Sequence, residues 1–185
     1  MDSLNLDQHI SQQYNADLEQ LRTDLLEMGG LVEEQLANAI QAIETADGDL
    51  AEKVLEVENE VDKREMQIDQ ECMSVLARRQ PAASDLRLVM MVGKAIRDLE
   101  RMGDEAQKIA QVALESFSHE QKDLLLSLDN LGRHVLEFLQ ATLDAFTRMD
   151  FDAAVKNHKN DNKIDREYEA LMRQLMTYMM EDPRS

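Results

Sequence analysis

The residues whose types and spacing could do chemistry are carboxylates. Glu58, Asp62, Glu65 and Asp69 follow one another at gaps of four, three and four, so a helix would carry them as one stripe. Glu100 and Asp104 make a further pair four apart, and Asp161 and Asp165 another. Like charges at that spacing cost about 0.2–0.5 kcal/mol per pair unless a cation sits between them. If the helix carrying Glu58 and Asp62 lies beside the one carrying Glu100 and Asp104, four carboxylates meet. That set suits a hard or borderline cation such as Mg, Mn or Fe, whereas Zn more often takes His or Cys. The same residues also read as a solvated acidic face, because an acidic helical chain produces such pairs by chance.

No other reactive set stands out. His9, His119, His134 and His158 are scattered, and none has the Glu three residues earlier that an inward-facing di-iron bundle uses. Glu115 and His119 read as a surface pair at a helix end. There is no Gly-rich phosphate loop. The single cysteine, Cys72, reads as a small core residue, not a nucleophile. The expectation is a protein that is not an enzyme.

The elements that must position these carboxylates are helices. Six Gly and two Pro in 185 residues leave little room for the turns of a β fold. Apolar residues from Leu18 through Met28 and Leu36 to Ile43 predict a first helix over about 11–46, with Gly29 and Gly30 placed for close packing. Asp47-Gly48-Asp49 breaks it, Gly as C-cap and Asp as N-cap. A second helix follows over about 49–79, with Val54, Val61, Ile68 and Val75 seven apart. Pro81 ends it, and Ser84 is the expected N-cap of a third helix to about Ser116. Its predicted seam is Leu88, Val92, Ala95, Leu99, Met102, Ala106, Ile109 and Ala113, a pattern that packs at the shallow angle of bundles. This seam leaves Glu100 and Asp104 near the surface. After a polar joint near Ser118-His119-Glu120, two further helices are expected over about 123–149 and 152–180. Met172, Met176, Met179 and Met180 fit either core, the commoner role, or a pliable binding face.

The second half repeats the first. Slid by 103 positions, Gly29 meets Gly132, Leu36 meets Leu139, Asp47 meets Asp150, Ala51 meets Ala154, Asn59 meets Asn162 and Asp62 meets Asp165. Two copies of one helical unit are implied. Pro183 falls where Pro81 does after a one-residue slip, and the third helix of the second copy would lie past Ser185. The expected division is therefore 1–118 for a first bundle and 119–185 for an incomplete second one. Ile164, Leu171, Leu175 and Met179 would then keep an apolar side that a second copy of the chain or another partner must bury.

A formal net charge of −18 argues against a nucleic-acid groove and against charge-driven binding to anionic lipid. It suits solubility, basic protein partners or metal cations. The start of the chain lacks a basic segment and an apolar core, no apolar run approaches the roughly 20 residues of a membrane span, and one cysteine forms no intrachain disulfide. The expected location is cytoplasmic, with no membrane insertion.

Four segments carry a resemblance to a known family. Residues 79–87, Arg-Gln-Pro-Ala-Ala-Ser-Asp-Leu-Arg, resemble the interhelical motif of the PhoU family. Leu99-Glu100-Arg101-Met102-Gly103-Asp104 resembles its Leu-Glu-Arg-Ile-Gly-Asp signature, with Met for Ile. Residues 28–33 and 174–182 are also similar to it. The resemblance implies two tandem three-helix bundles of long antiparallel helices, the second lacking its third helix here. It implies a negative regulator of the phosphate-starvation regulon and of phosphate uptake. Its implied partners are the ATPase subunit of the phosphate ABC transporter and a sensor histidine kinase, and the uncovered apolar side adds the expectation of a second copy in a homodimer. It further implies metal binding, by Mn, Fe, Mg or Zn, through Glu58 with Asp62, Glu100 with Asp104, and Asp161 with Asp165. The alternative is an acidic helical metal-binding or storage protein with no signalling role.

Overall fold

The computed structural model describes residues 3–79, 81, 83–114 and 122–181, with side chains from residue 12 onward apart from 79 and 122–126. Among these residues there are five helices and no strand: α1 (Ser3–Thr45), α2 (Gly48–Arg79), α3 (Ala83–Ala113), α4 (Lys122–Thr147) and α5 (Phe151–Glu181). The all-helical expectation holds. None of the helices is long and apolar enough to cross a membrane. The polar joint at 118–120, the Glu115–His119 pair, Gln80, Ala82 and the stretch from 182 lie outside the described residues.

The chain forms two compact units whose boundaries cut through helices. One comprises residues 1–32 and 56–105, the other residues 33–55 and 106–185. In the first unit α1, α2 and α3 are in mutual contact. Arg64 Nη1 of α2 pairs with Glu27 Oε2 of α1 at 2.6 Å, Tyr14 Oη of α1 donates to Asp85 Oδ2 of α3 at 3.1 Å, and Cys72 Sγ of α2 donates to the Val89 carbonyl of α3 at 3.8 Å. Leu18, Leu21, Leu25, Met28 and Val32 line the α1 side, and Val61, Ile68 and Val75 the α2 side. Each such side chain contributes about 1.5–3 kcal/mol when fully buried.

The α3 seam differs from its expected register. Val89, Val92, Ile96, Leu99, Gly103 and Ala106 are buried, followed by Ala110 and Ala113. Leu88, Ala95, Met102 and Ile109 are only half-buried. Every second position has moved one residue along, which rotates the stripe toward the side carrying Glu100 and Asp104. Packing decides between two stripes of nearly equal hydrophobicity, and here it buries Gly103 in place of Met102.

In the second unit α4 and α5 pack along one another. Asn157 Nδ2 donates to the Phe138 carbonyl at 3.0 Å and to Thr142 Oγ1 at 2.7 Å. Gln140 Nε2 of α4 donates to Glu33 Oε1 of α1 at 2.7 Å, and buried Gln35 donates to the Val54 carbonyl of α2 at 3.3 Å. The two inter-helix joints are built alike, as the repeat requires. Asp47 N donates to the Ala42 carbonyl at 3.1 Å and Asp150 N to the Ala145 carbonyl at 2.9 Å, bonds that close the preceding helix. Asp47 Oδ1 then accepts from Asp49 N and Leu50 N, and Asp150 Oδ1 from Ala153 N. The left-handed residue is Ala46 (φ 53°) in one joint and Met149 (φ 51°) in the other. The expected glycine cap is thus displaced: Gly48 opens α2, and Asp47 is its N-cap. Ser84 likewise lies inside the first turn of α3, bonded to Asp85 Oδ1 at 3.1 Å. Helix α1 starts earlier than expected because no Gly or Pro interrupts the chain before Gly29.

The paired glycines do not act alike. Gly29 is buried, but Gly30 is exposed and a Cβ there would meet nothing within 4 Å. The close approach falls at Gly132, the counterpart of Gly29, where a Cβ would lie 2.9 Å from Ile40 Cδ1. Gly30→Ala is therefore expected to stabilise the protein by up to about 1 kcal/mol through helix propensity. Gly132→Ala should instead destabilise it by about 1–3 kcal/mol through overpacking. Urea denaturation of the two variants checks both signs.

Candidate functional site

Helix α2 buries Ala51, Val54, Glu58, Val61, Ile68, Cys72 and Val75, at gaps of three, four, three, seven, four and three. Glu58 therefore occupies a seam position, with 5% of its surface exposed. Glu65 fills the seven-residue gap and is half-buried, while Asp62 and Asp69 flank the stripe, Asp62 exposed and Asp69 half-buried. The rotated seam of α3 brings Glu100 and Asp104 to its border, and both are half-buried, deeper than the expected surface location.

The α2 and α3 carboxylates do approach one another. Burial raises the Glu100 carboxyl above the ordinary glutamate range, and the charges of Asp104, Glu65 and Asp62 push it further the same way. Arg101 opposes them. Asp62, Glu100 and Asp104 are thus brought together within the first unit, with Glu65 as an additional member. The donor set is all oxygen and strongly negative, which fits a hard cation in charge and chemistry. Among the described residues no three His, Cys, Asp or Glu groups already converge closely enough to hold a metal ion. Coordination would require these side chains to turn inward.

Asp161 and Asp165 lie on α5 in the second unit, the first half-buried and the second exposed. The feature that spacing did not suggest there is His134. Its Nδ1 lies 2.6 Å from Glu167 Oε2, and Lys163 Nζ lies 3.4 Å from its Nε2 and 3.7 Å from Glu167 Oε1. His134 and Lys163 border a cleft of about 420 Å³ between α4 and α5 that also holds Glu137 and Asn160. The residues of the His–Glu pair are 33 apart in sequence, so no local motif could reveal them. An apolar cavity of about 170 Å³ lies elsewhere in this unit, walled by Ile40, Ile43, Ile109, Leu131 and Val135.

Cys72 is buried, and burial first, then Asp69 and Glu71, push its thiol up to about 11, which agrees with a core role. The terminal methionines depart from the core role that is commoner for the type. Met172 is half-buried, but Met176, Met179 and Met180 are exposed, the last by 82%. Helix α5 buries Leu171 alone, because among the described residues only one of its sides is covered.

The comparisons with known proteins agree with this architecture. The PhoU domain matches residues 25–113 and again 128–185, which are the two sequence copies. The phosphate-specific transport system accessory protein PhoU of Escherichia coli is 54% identical over 185 residues, covering all of this chain and 77% of that protein. The PhoU homolog of Pseudomonas aeruginosa is 47% identical over 182 residues, covering 98% of this chain and 75% of that protein. The crystal structure of PhoU from Pseudomonas aeruginosa superposes with a TM-score of 0.85 at 44% identity, over 92% of this chain and 82% of that one. That of the phosphate transport system regulatory protein PhoU from Streptococcus pneumoniae gives 0.80 at 28% identity, over 91% and 80%. Doubled domain matches, five long helices and identity along the whole chain lead to one conclusion: the chain belongs to the PhoU family.

Proposed function

We propose that this protein is a non-catalytic, cytoplasmic negative regulator of the phosphate-starvation response and of phosphate uptake. It acts as an adaptor between the ATPase subunit of the phosphate ABC transporter and a sensor histidine kinase. The observation that carries this reading is 54% identity across the full chain to a phosphate transport accessory protein. The helical architecture supports it, since long helices with charged faces offer extended surfaces for protein partners. The exposed methionines and Phe151 of α5 suit such contacts, including pairing with a second copy.

The finer reading includes a metal. Glu58, Asp62, Glu100 and Asp104 would hold a divalent or trivalent cation, Mn, Fe, Mg or Zn, on the α2/α3 face, and Asp161 and Asp165 would contribute in the second unit. Bound there, the cation would supply charge compensation. Glu100 supports this most directly, since three neighbouring carboxylates and burial all disfavour its ionised form. Metal storage without signalling is the competing reading, and partner binding separates the two.

Deletion of the gene is expected to switch on a phosphate-starvation reporter in phosphate-rich medium, and reintroduction of the chain to silence it. A reporter that stays off in the deletion strain would sink the regulatory reading. For the metal, Glu100→Ala with Asp104→Ala should abolish Mn or Fe binding at the first unit and the rise in melting temperature that comes with it. At a hundredfold excess over the dissociation constant that rise corresponds to about 2.7 kcal/mol. Calorimetry or elemental analysis giving equal binding in the double variant would leave a solvated acidic face.

A further inference from the structure

Two carboxyl groups outside the α2/α3 acidic face meet in the first unit. Asp24 lies three residues after Leu21 and four before Met28, inside the buried stripe of α1, and is 5% exposed. Its Oδ1 accepts from Gln20 Nε2, one turn back, at 2.9 Å. Its Oδ2 is sealed from solvent, and among the described residues no N–H or hydroxyl group donates to it. The neighbouring side chain across the helix interface is another acid, Glu71 of α2, close enough to Asp24 for a proton to be shared between the two carboxyls. Glu71 is supported in the same manner, with Gln67 one turn back donating Nε2 to its Oε1 at 2.9 Å.

Two ionised carboxylates accept only, so they cannot hydrogen-bond each other; one proton between them turns repulsion into a bond. We propose that Asp24 and Glu71 form a proton-binding site, and that the proton they share latches α1 to α2 in the first unit. When Glu71 ionises, the bond is lost and its charge faces the sealed Asp24 carboxyl across the helix interface, so the latch opens.

The surrounding charges do not substitute for the proton. The small cleft beside Glu71, about 190 Å³, takes Asp17 from α1 and Arg78 from α2 as its other charged groups, and no residue from α3. Asp17 adds negative charge. Arg78 is exposed and is not among the groups acting on Glu71. Arg22 of α1 is engaged by Glu19 at 2.8 Å. Arg64 of α2 is engaged by Glu27 and Glu60. On α3, Asp85 faces α1 but is held by Tyr14, about three turns from Asp24.

The sign of the pH effect follows. Burial first, then Asp24, raises Glu71 above its ordinary value, with Gln67 opposing. A folded-state value above the unfolded one gives stability that is complete below the ordinary glutamate range and is lost as pH rises through the raised value. Ion-paired carboxylates behave in the opposite way.

The test is thermal denaturation of the full chain from pH 4.5 to 8, for wild type, Glu71→Gln and Asp24→Asn. Either amide supplies a permanent donor in place of the proton. At pH 7.5 the Glu71→Gln variant should melt about 2–4 °C above wild type, with the gap closing toward pH 4.5. Amide hydrogen exchange around residues 21–28 should slow in the same variant at pH 7.5. Should Glu71→Gln pack poorly, Asp24→Asn must show the flattened pH dependence instead. The proposal is overturned if both variants keep the wild-type pH slope. It is equally overturned if Mg²⁺ raises the wild-type melting temperature at pH 7.5 and both amide variants abolish that rise while Glu100→Ala with Asp104→Ala keeps it, because the pair would then hold a cation.

Discussion

The first unit depends on how three helices share an apolar seam into which acids have been placed. A helix turns once in 3.6 residues, so α2 must bury the row from Ala51 through Val61 to Val75 as one stripe. That row contains Glu58, and the row of α1 contains Asp24, each 5% exposed. Removing an ion from water costs several kcal/mol even after relaxation. The aliphatic residues on either side, Leu21, Met28, Val54, Val61 and Ile68, all at 1% exposure or less, offset that cost. The seam thus holds both acids in place within an apolar row.

The second unit resolves its polar groups differently. Between α4 and α5 the contacts are mutual: Asn157 with Phe138 and Thr142, His134 with Glu167 and Lys163. Buried Asp129 pairs with Arg133 one turn on. Here Glu167 meets an imidazole and an ammonium, and Asp129 meets a guanidinium, so these two acids are compensated by neighbouring side chains. The joints Asp47 and Asp150 are nearly superimposable in their bonding, while the helices beyond them have diverged in charge. Turn chemistry is retained because few residues can cap; helix faces are free to change because many can be solvated.

Much of this was legible in the sequence because it is local. The seven-residue row of α2 is a short-range pattern, the 103-residue repeat shows when the chain is laid on itself, and the row and the two alike joints recur in the structure. What escaped is set by packing. The α3 stripe could run through Leu88, Ala95 and Met102 or through Val89, Ile96 and Gly103, and only the neighbouring helices choose. Gly30 and Gly132 look equivalent as small residues, yet Ile40 touches one position and open space surrounds the other. Spacing brought Glu100 and Asp104 to notice, and it could not show that the rotated seam half-buries them. Asp24 and Glu71 are 47 residues apart, so no periodicity connects them.

The two acidic clusters of the first unit differ in what they select. Asp24 and Glu71 are neighbouring acids, and each is already supported by a glutamine on its own helix. A single proton removes one charge there without any side chain moving. Around Glu100 several carboxylates share the field, and Arg101 is the cation that opposes them. One proton removes only one of those charges, so a single protonation leaves the rest of the field in place. In a chain of net charge −18, relief of either cluster is favoured over adding further negative groups. The two clusters thus differ in number and burial: a pair with one member 5% exposed and the other half-buried, and a group of several carboxylates around half-buried Glu100.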